Sequence, residues 1–68
     1  MNGKIYIPNG YNHEKVTFTW STEFKSLAEI HYTNLVCENL RTQEFDKIEL
    51  YENYYGKMSL LSKEKITK

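Results

Sequence analysis

The sequence predicts an α+β domain of two layers, order ββαββ, with one helix packed on an antiparallel sheet. Three observations carry this. Apolar and polar residues alternate with a period of two in "KVTFTW" and again in "DKIELY". Between them, "STEFKSLAEIHYTNLVCENL" changes to helical spacing. Pro8-Asn9-Gly10 in the first half and Gly56 in the second supply residues that favour turns. A chain of 68 residues has apolar surface for one core, so a single domain over 1–68 is expected, with a stability of about 3–5 kcal/mol.

The first hairpin is expected over 3–21. Ile5 and Ile7 share one side of an extended segment, Pro8-Asn9-Gly10 ends it, and a loop of about Asn9 to His13 leads into a strand. In that strand Val16, Phe18 and Trp20 alternate with Thr17, Thr19 and Ser21. A helix follows over 22–37. On a 100° wheel Phe24, Leu27, Ala28, His31 and Leu35 share a face, while Lys25, Ser26, Glu29 and Thr33 lie opposite. Ser21 or Thr22 can accept from its first amides, and Glu23 places a negative charge in the first turn. The β formers Ile30, Tyr32 and Val36 keep a strand over 28–37 open as the competing reading.

A second hairpin is expected over 45–62. Ile48 and Leu50 face one way and Lys47, Glu49 and Tyr51 the other, "YYG" breaks the run, and "KMSLLS" returns. Residues 63–68 read as a charged tail. This arrangement predicts a core of Val16, Phe18, Trp20, Phe24, Leu27, Leu35, Ile48 and Leu50.

Composition narrows the function. Nine Lys and Arg balance nine Asp and Glu, which removes the general electrostatic pull toward phosphate backbones and disfavours direct nucleic-acid binding. No apolar run approaches the roughly 18 residues needed to span a bilayer, so no membrane role is expected. The single Cys37 cannot form an internal disulfide, and a reducing, cytoplasmic setting suits it. Lys, Asn, Tyr and Ile make up more than a third of the chain and use A- and T-rich codons, which points to an AT-rich source such as a phage or mobile element.

No catalytic or metal-binding constellation stands out, and no cofactor is expected. His13 and Glu14 are adjacent and would point to opposite faces of a strand, and His31 belongs to the apolar helix face. Cys37 beside Glu38 near a helix end lacks the setting that lowers a thiol pKa, and reads as a small buried apolar residue. The three glycines stand in separate turns, so no phosphate loop exists.

What remains is an excess of aromatic residues. Six Tyr and one Trp exceed what so small a core can bury, and tyrosine gains contact area for little rotamer entropy. Tyr51, Tyr54 and Tyr55, with an acidic edge of Glu44, Asp46, Glu49 and Glu52, are therefore the candidate protein-binding residues. Packed inward instead, Tyr54 and Tyr55 would merely cover the open end of the core. The sequence thus predicts a non-catalytic accessory protein that inhibits or neutralises a specific host or toxin protein carrying a basic patch. Single-stranded nucleic-acid binding and self-assembly, for example as a homodimer, are the alternatives.

Overall fold

The computed structural model describes residues 3–65. It has the expected order: β1 (Lys4–Asn12), β2 (Lys15–Thr19), α1 (Lys25–Thr42), β3 (Lys47–Tyr54) and β4 (Lys57–Lys65). The strands form one antiparallel sheet in the order β2-β1-β3-β4, and α1 packs against β1 and β3. The molecule measures 38 × 21 × 15 Å, the thickness of a sheet and one helix.

The first hairpin departs from the sequence reading. Pro8-Asn9-Gly10 does not end β1, which continues to Asn12. Pro8 needs no partner for an N–H, and its carbonyl accepts from the Trp20 N–H at 3.2 Å. Gly10 is required by packing, since a Cβ there would lie 2.7 Å from the Phe45 ring. The turn is instead His13-Glu14, both at positive φ (52° and 65°), the type I′ arrangement that matches strand twist. A register shift between Gly10 and Tyr11 then places Val16 opposite Tyr11 but Phe18 opposite Gly10. Cross-strand partners share a face, so the apolar run of β2 is divided between the two sides of the sheet.

The helix starts and ends later than expected. Its N-cap is Phe24, with extended backbone and no side-chain cap, and no acidic residue stands in its first turn. Thr22 is held by β1 through Tyr6 N–H to Thr22 O (2.7 Å) and Thr22 N–H to Tyr6 O (3.0 Å), and its Oγ1 accepts at 3.2 Å from the N–H of Phe24, the cap residue itself, rather than from an amide inside the helix. Gln43, at φ 53°, closes the C-terminus with its N–H on the Asn39 carbonyl at 2.8 Å. Residues 28–37 are helical and not a strand. Cys37, expected to be buried, is exposed on this helix.

The core lies where α1 crosses the two central strands. Tyr6, Ala28, Phe45, Ile48 and Leu50 form it, with Tyr32 packed against the cluster. Ile48 and Leu50 meet the expectation, but Val16, Phe18, Phe24 and Leu27 are exposed, and Trp20 and Leu35 are half-buried. One helix of about 10 Å diameter covers two strands at ~4.8 Å spacing, so side chains on the flanking strands β2 and β4 lie beyond its reach. Asn39, with 1% of its surface exposed, adds a polar clamp: its Nδ2 donates to Phe45 O at 2.9 Å and its Oδ1 accepts from Phe45 N–H at 2.7 Å. β4 runs through Lys63, Glu64 and Lys65, which the sequence placed in the tail; positions 66–68 of that tail lie outside the described residues.

Candidate functional site

The helix leaves the other sheet face uncovered, and strand register identifies what stands on it. Partners of the core residues, such as Pro8 with Leu50 and Gly10 with Ile48, face the helix. The intervening rows face away: Ile5-Asn53-Met58, Ile7-Tyr51-Leu60, Asn9-Glu49-Lys63 and Tyr11-Lys47-Lys65. This open face is polarised along the strands. Toward the β3–β4 turn it is apolar, with Ile5, Met58 and Leu60 exposed; toward the β1–β2 turn it is charged.

At the charged end Glu49 is the organising group. Although only 7% of its surface is exposed, its Oε1 accepts from Tyr51 OH at 2.8 Å and its Oε2 lies 3.7 Å from Lys47 Nζ. Burial pushes this carboxyl up, but the hydrogen bonds from Tyr51 and Tyr11 and the Lys47 ammonium outweigh it and leave Glu49 below its ordinary value. The same hydrogen bond to Glu49, with burial, raises the Tyr51 phenol far above its ordinary range. Lys47 Nζ also sits 4.5 Å from the centroid of the Tyr11 ring, and Tyr11 OH accepts from Asn9 Nδ2 at 3.4 Å. Asn9 Oδ1 is buried without a partner. Around this network Tyr11, His13, Glu14, Asp46, Lys47, Glu49, Lys63 and Lys65 line a cleft of about 380 Å³.

The tyrosines at the other end occupy the second hairpin turn. Tyr55 adopts φ 50° and Gly56 φ 86°, again a type I′ turn, in a position where Asn is the usual residue. Tyr55 is 79% exposed and Tyr54 44%, so neither is a lid over the core. Their rings meet edge to face at 4.5 Å, and a Cβ on Gly3 would lie 2.8 Å from Tyr55 Oη, so the Tyr55 ring rests on the glycine backbone. Tyr54 shares the helix-side face with Glu52 and Lys4; Lys4 Nζ lies 5.8 Å from the Tyr54 centroid and 3.6 Å from Glu52 Oε1.

No family model, no curated protein and no solved structure matches the chain. Among the described residues no group of three His, Cys, Asp or Glu could hold a metal ion, and no helix is long and apolar enough to cross a membrane.

The candidate residues named from sequence occupy three places. Tyr51 and Glu49 meet on the open face. Tyr54 and Tyr55 form the turn, with Glu52 beside them on the helix side. Glu44 and Asp46 precede β3, and Lys47 and Tyr54 at the ends of β3 are about 24 Å apart at ~3.4 Å per residue, so these carboxylates do not border the tyrosine pair. Asp46 tethers the β1–β2 turn, its Oδ2 accepting from the His13 N–H at 3.0 Å and its own N–H donating to Tyr11 O at 2.8 Å. Sequence reasoning missed Tyr11, Lys63 and Lys65. Tyr11 was assigned to a loop and the lysines to the tail, and only the true strand ends bring them to one face.

Proposed function

We propose that the chain is a non-catalytic accessory protein, of the kind a phage or mobile element carries, that inhibits or neutralises one specific host or toxin protein by docking on it. The observation that carries this reading is the uncovered apolar end of the sheet, where Ile5, Met58 and Leu60 stand exposed beside the Tyr54-Tyr55 turn. Exposed aromatic and apolar groups at a rigid turn are the usual anchors of protein interfaces. A left-handed Tyr55 costs on the order of 1–2 kcal/mol that Gly or Asn would avoid, and strain of this kind is kept where a side chain is used.

In place of the basic patch expected from sequence, we infer an acidic patch on the partner. Glu49, Glu52 and Asp46 are engaged inside the chain, and the charges left outermost on the open face belong to Lys63 and Lys65. A reducing cytoplasm suits the exposed, unpaired Cys37. The test is affinity capture from the source-cell lysate with wild type, with a Tyr55→Ala/Leu60→Ser variant, and with an Ile30→Ser control on the far side of the helix. A protein retained by wild type and the control but lost with the first variant supports the reading; an unchanged set overturns it.

Tyr11 and Tyr51 on the central strands, with three lysines around them, favour single-stranded nucleic-acid binding as a second reading. Against it, the Tyr11 ring is already covered by Lys47, and Glu49 sets a carboxylate in the middle of the path. Retention of a short oligonucleotide in a gel shift, fading steeply with salt, would favour this reading.

A further inference from the structure

We propose that the outer edge of β4 docks an extended acidic-apolar peptide antiparallel to it, with acidic residues opposite Lys65 and Lys63 and apolar residues opposite Leu60 and Met58. This deepens the docking function above and rests on it.

Hydrogen-bond direction decides which backbone groups are available. Tyr6 faces the helix, and its N–H and C=O both pair with Thr22 on the β2 side. Backbone groups along a strand alternate sides in step with the side chains. The open-face residues of β1 therefore bond to β3, and the helix-side residues of β3 bond to Lys57, Ser59, Ser62 and Glu64 of β4. Met58, Leu60, Lys63 and Lys65 are left to direct N–H and C=O groups outward. Their side chains stand on the open face, so a docking strand meets two lysines and then two apolar residues.

Charge selects the occupant. Lys47 is committed to Glu49 and Tyr11, whereas among the described residues Lys63 and Lys65 form no ion pair. The cleft of about 380 Å³ beside them already holds Glu14, Asp46 and Glu49 next to its lysines, so the preference for acid rests on the outward edge of β4 and not on the cleft. A second copy of β4 running antiparallel would set these lysines against Leu60 and Met58 and supply no acid on that face; edge lysines are a common guard against self-pairing. The other edge, β2, has five residues against nine in β4. Size points the same way: strands of nine, five, eight and nine residues present about 500 Å² in projection, a small face beside the roughly 800 Å² of accessible surface that each partner buries in a stable interface. A partner that also pairs with the edge enlarges the contact, and strand addition gives affinity through main-chain bonds and specificity through alternate side chains.

The probe is a fluorescein-labelled peptide of sequence ETETVTI, titrated by anisotropy against the full chain at low salt. Saturable binding is expected. It should weaken by about tenfold or more when the peptide carries Lys for Glu, when its Val amide is N-methylated, or when the protein carries Lys63→Glu with Lys65→Glu. That double variant should gain affinity for the KTKTVTI peptide, which a misfolded variant could not do. Absence of saturable binding, equal binding of the two peptides, indifference to N-methylation, or a stable dimer with protected β4 amides would each overturn the proposal. If the lysate capture still depends on Tyr55 and Leu60 while the peptide fails, the edge inference falls and the docking function stands.

Discussion

Replacing Asn39 with Ala tests whether the polar clamp holds the second hairpin to the helix. Asn39 satisfies both backbone groups of Phe45, at 2.9 and 2.7 Å, in a site where 1% of its own surface is exposed. An orphaned buried backbone group costs about 1–3 kcal/mol, and two are orphaned here. Water entering the vacated volume recovers part, which leaves an expected loss of about 2–4 kcal/mol. Against a total of about 3–5 kcal/mol for a core this small, the variant stands at the margin of folding. Urea denaturation followed by Trp20 fluorescence measures it, since that ring stacks on His31 at 4.0 Å and loses the contact on unfolding. Asn12→Ala, which removes an exposed 3.1 Å bond to Thr17, serves as control and should cost under about 0.5 kcal/mol. A loss below about 1 kcal/mol for Asn39→Ala, with the denaturant slope unchanged, would refute the clamp.

Gly10→Ala forces a methyl group to 2.7 Å from the buried Phe45 ring and should cost about 1–3 kcal/mol by thermal melting, partly restored by adding Phe45→Leu. The lowered Glu49 pKa stabilises the fold above the ordinary carboxylate value of 4.5, and this contribution disappears as pH falls through the native value; Glu49→Gln should flatten the acid limb of urea midpoints measured from pH 7 to 3. Tyr55→Asn relieves the left-handed tyrosine while losing its ring contact with Tyr54, so stability should change by less than about 0.5 kcal/mol; lysate capture should be abolished.

The parts of the fold legible in the sequence are those where local preference and burial agree. Ile48 and Leu50 alternate with polar neighbours in a central strand, and Gly56 supplies a positive φ, so β3 and its turn are read directly. The helix is legible in its period but not in its ends, because Thr22 bonds to β1 and leaves the cap to Phe24. The first turn was hidden: His13-Glu14 carries no Gly or Asn, while Pro8-Asn9-Gly10 looks like a turn and lies within a strand. Without that register, Tyr11 could not be placed beside Glu49. Asn39 looks like a polar surface residue within a helix, and nothing local reveals that it faces Phe45 six positions later. Counting rings leaves Tyr54 and Tyr55 either displayed or folded over the core; only the strand ends decide for exposure, and only the strand axis separates the carboxylates from them.

The sheet order has a kinetic consequence. Both outer ladders, β1–β2 and β3–β4, join neighbours through two-residue turns and can zip within about 1–10 μs. The central seam joins Tyr11 to Lys47 and Lys4 to Tyr54 across the whole helical crossover, so its closure entropy must be met before any native core forms. Closing that seam is therefore the step expected to limit the folding rate, and cutting the chain in the crossover yields two fragments carrying one hairpin sequence each, whose reassociation rate tests it.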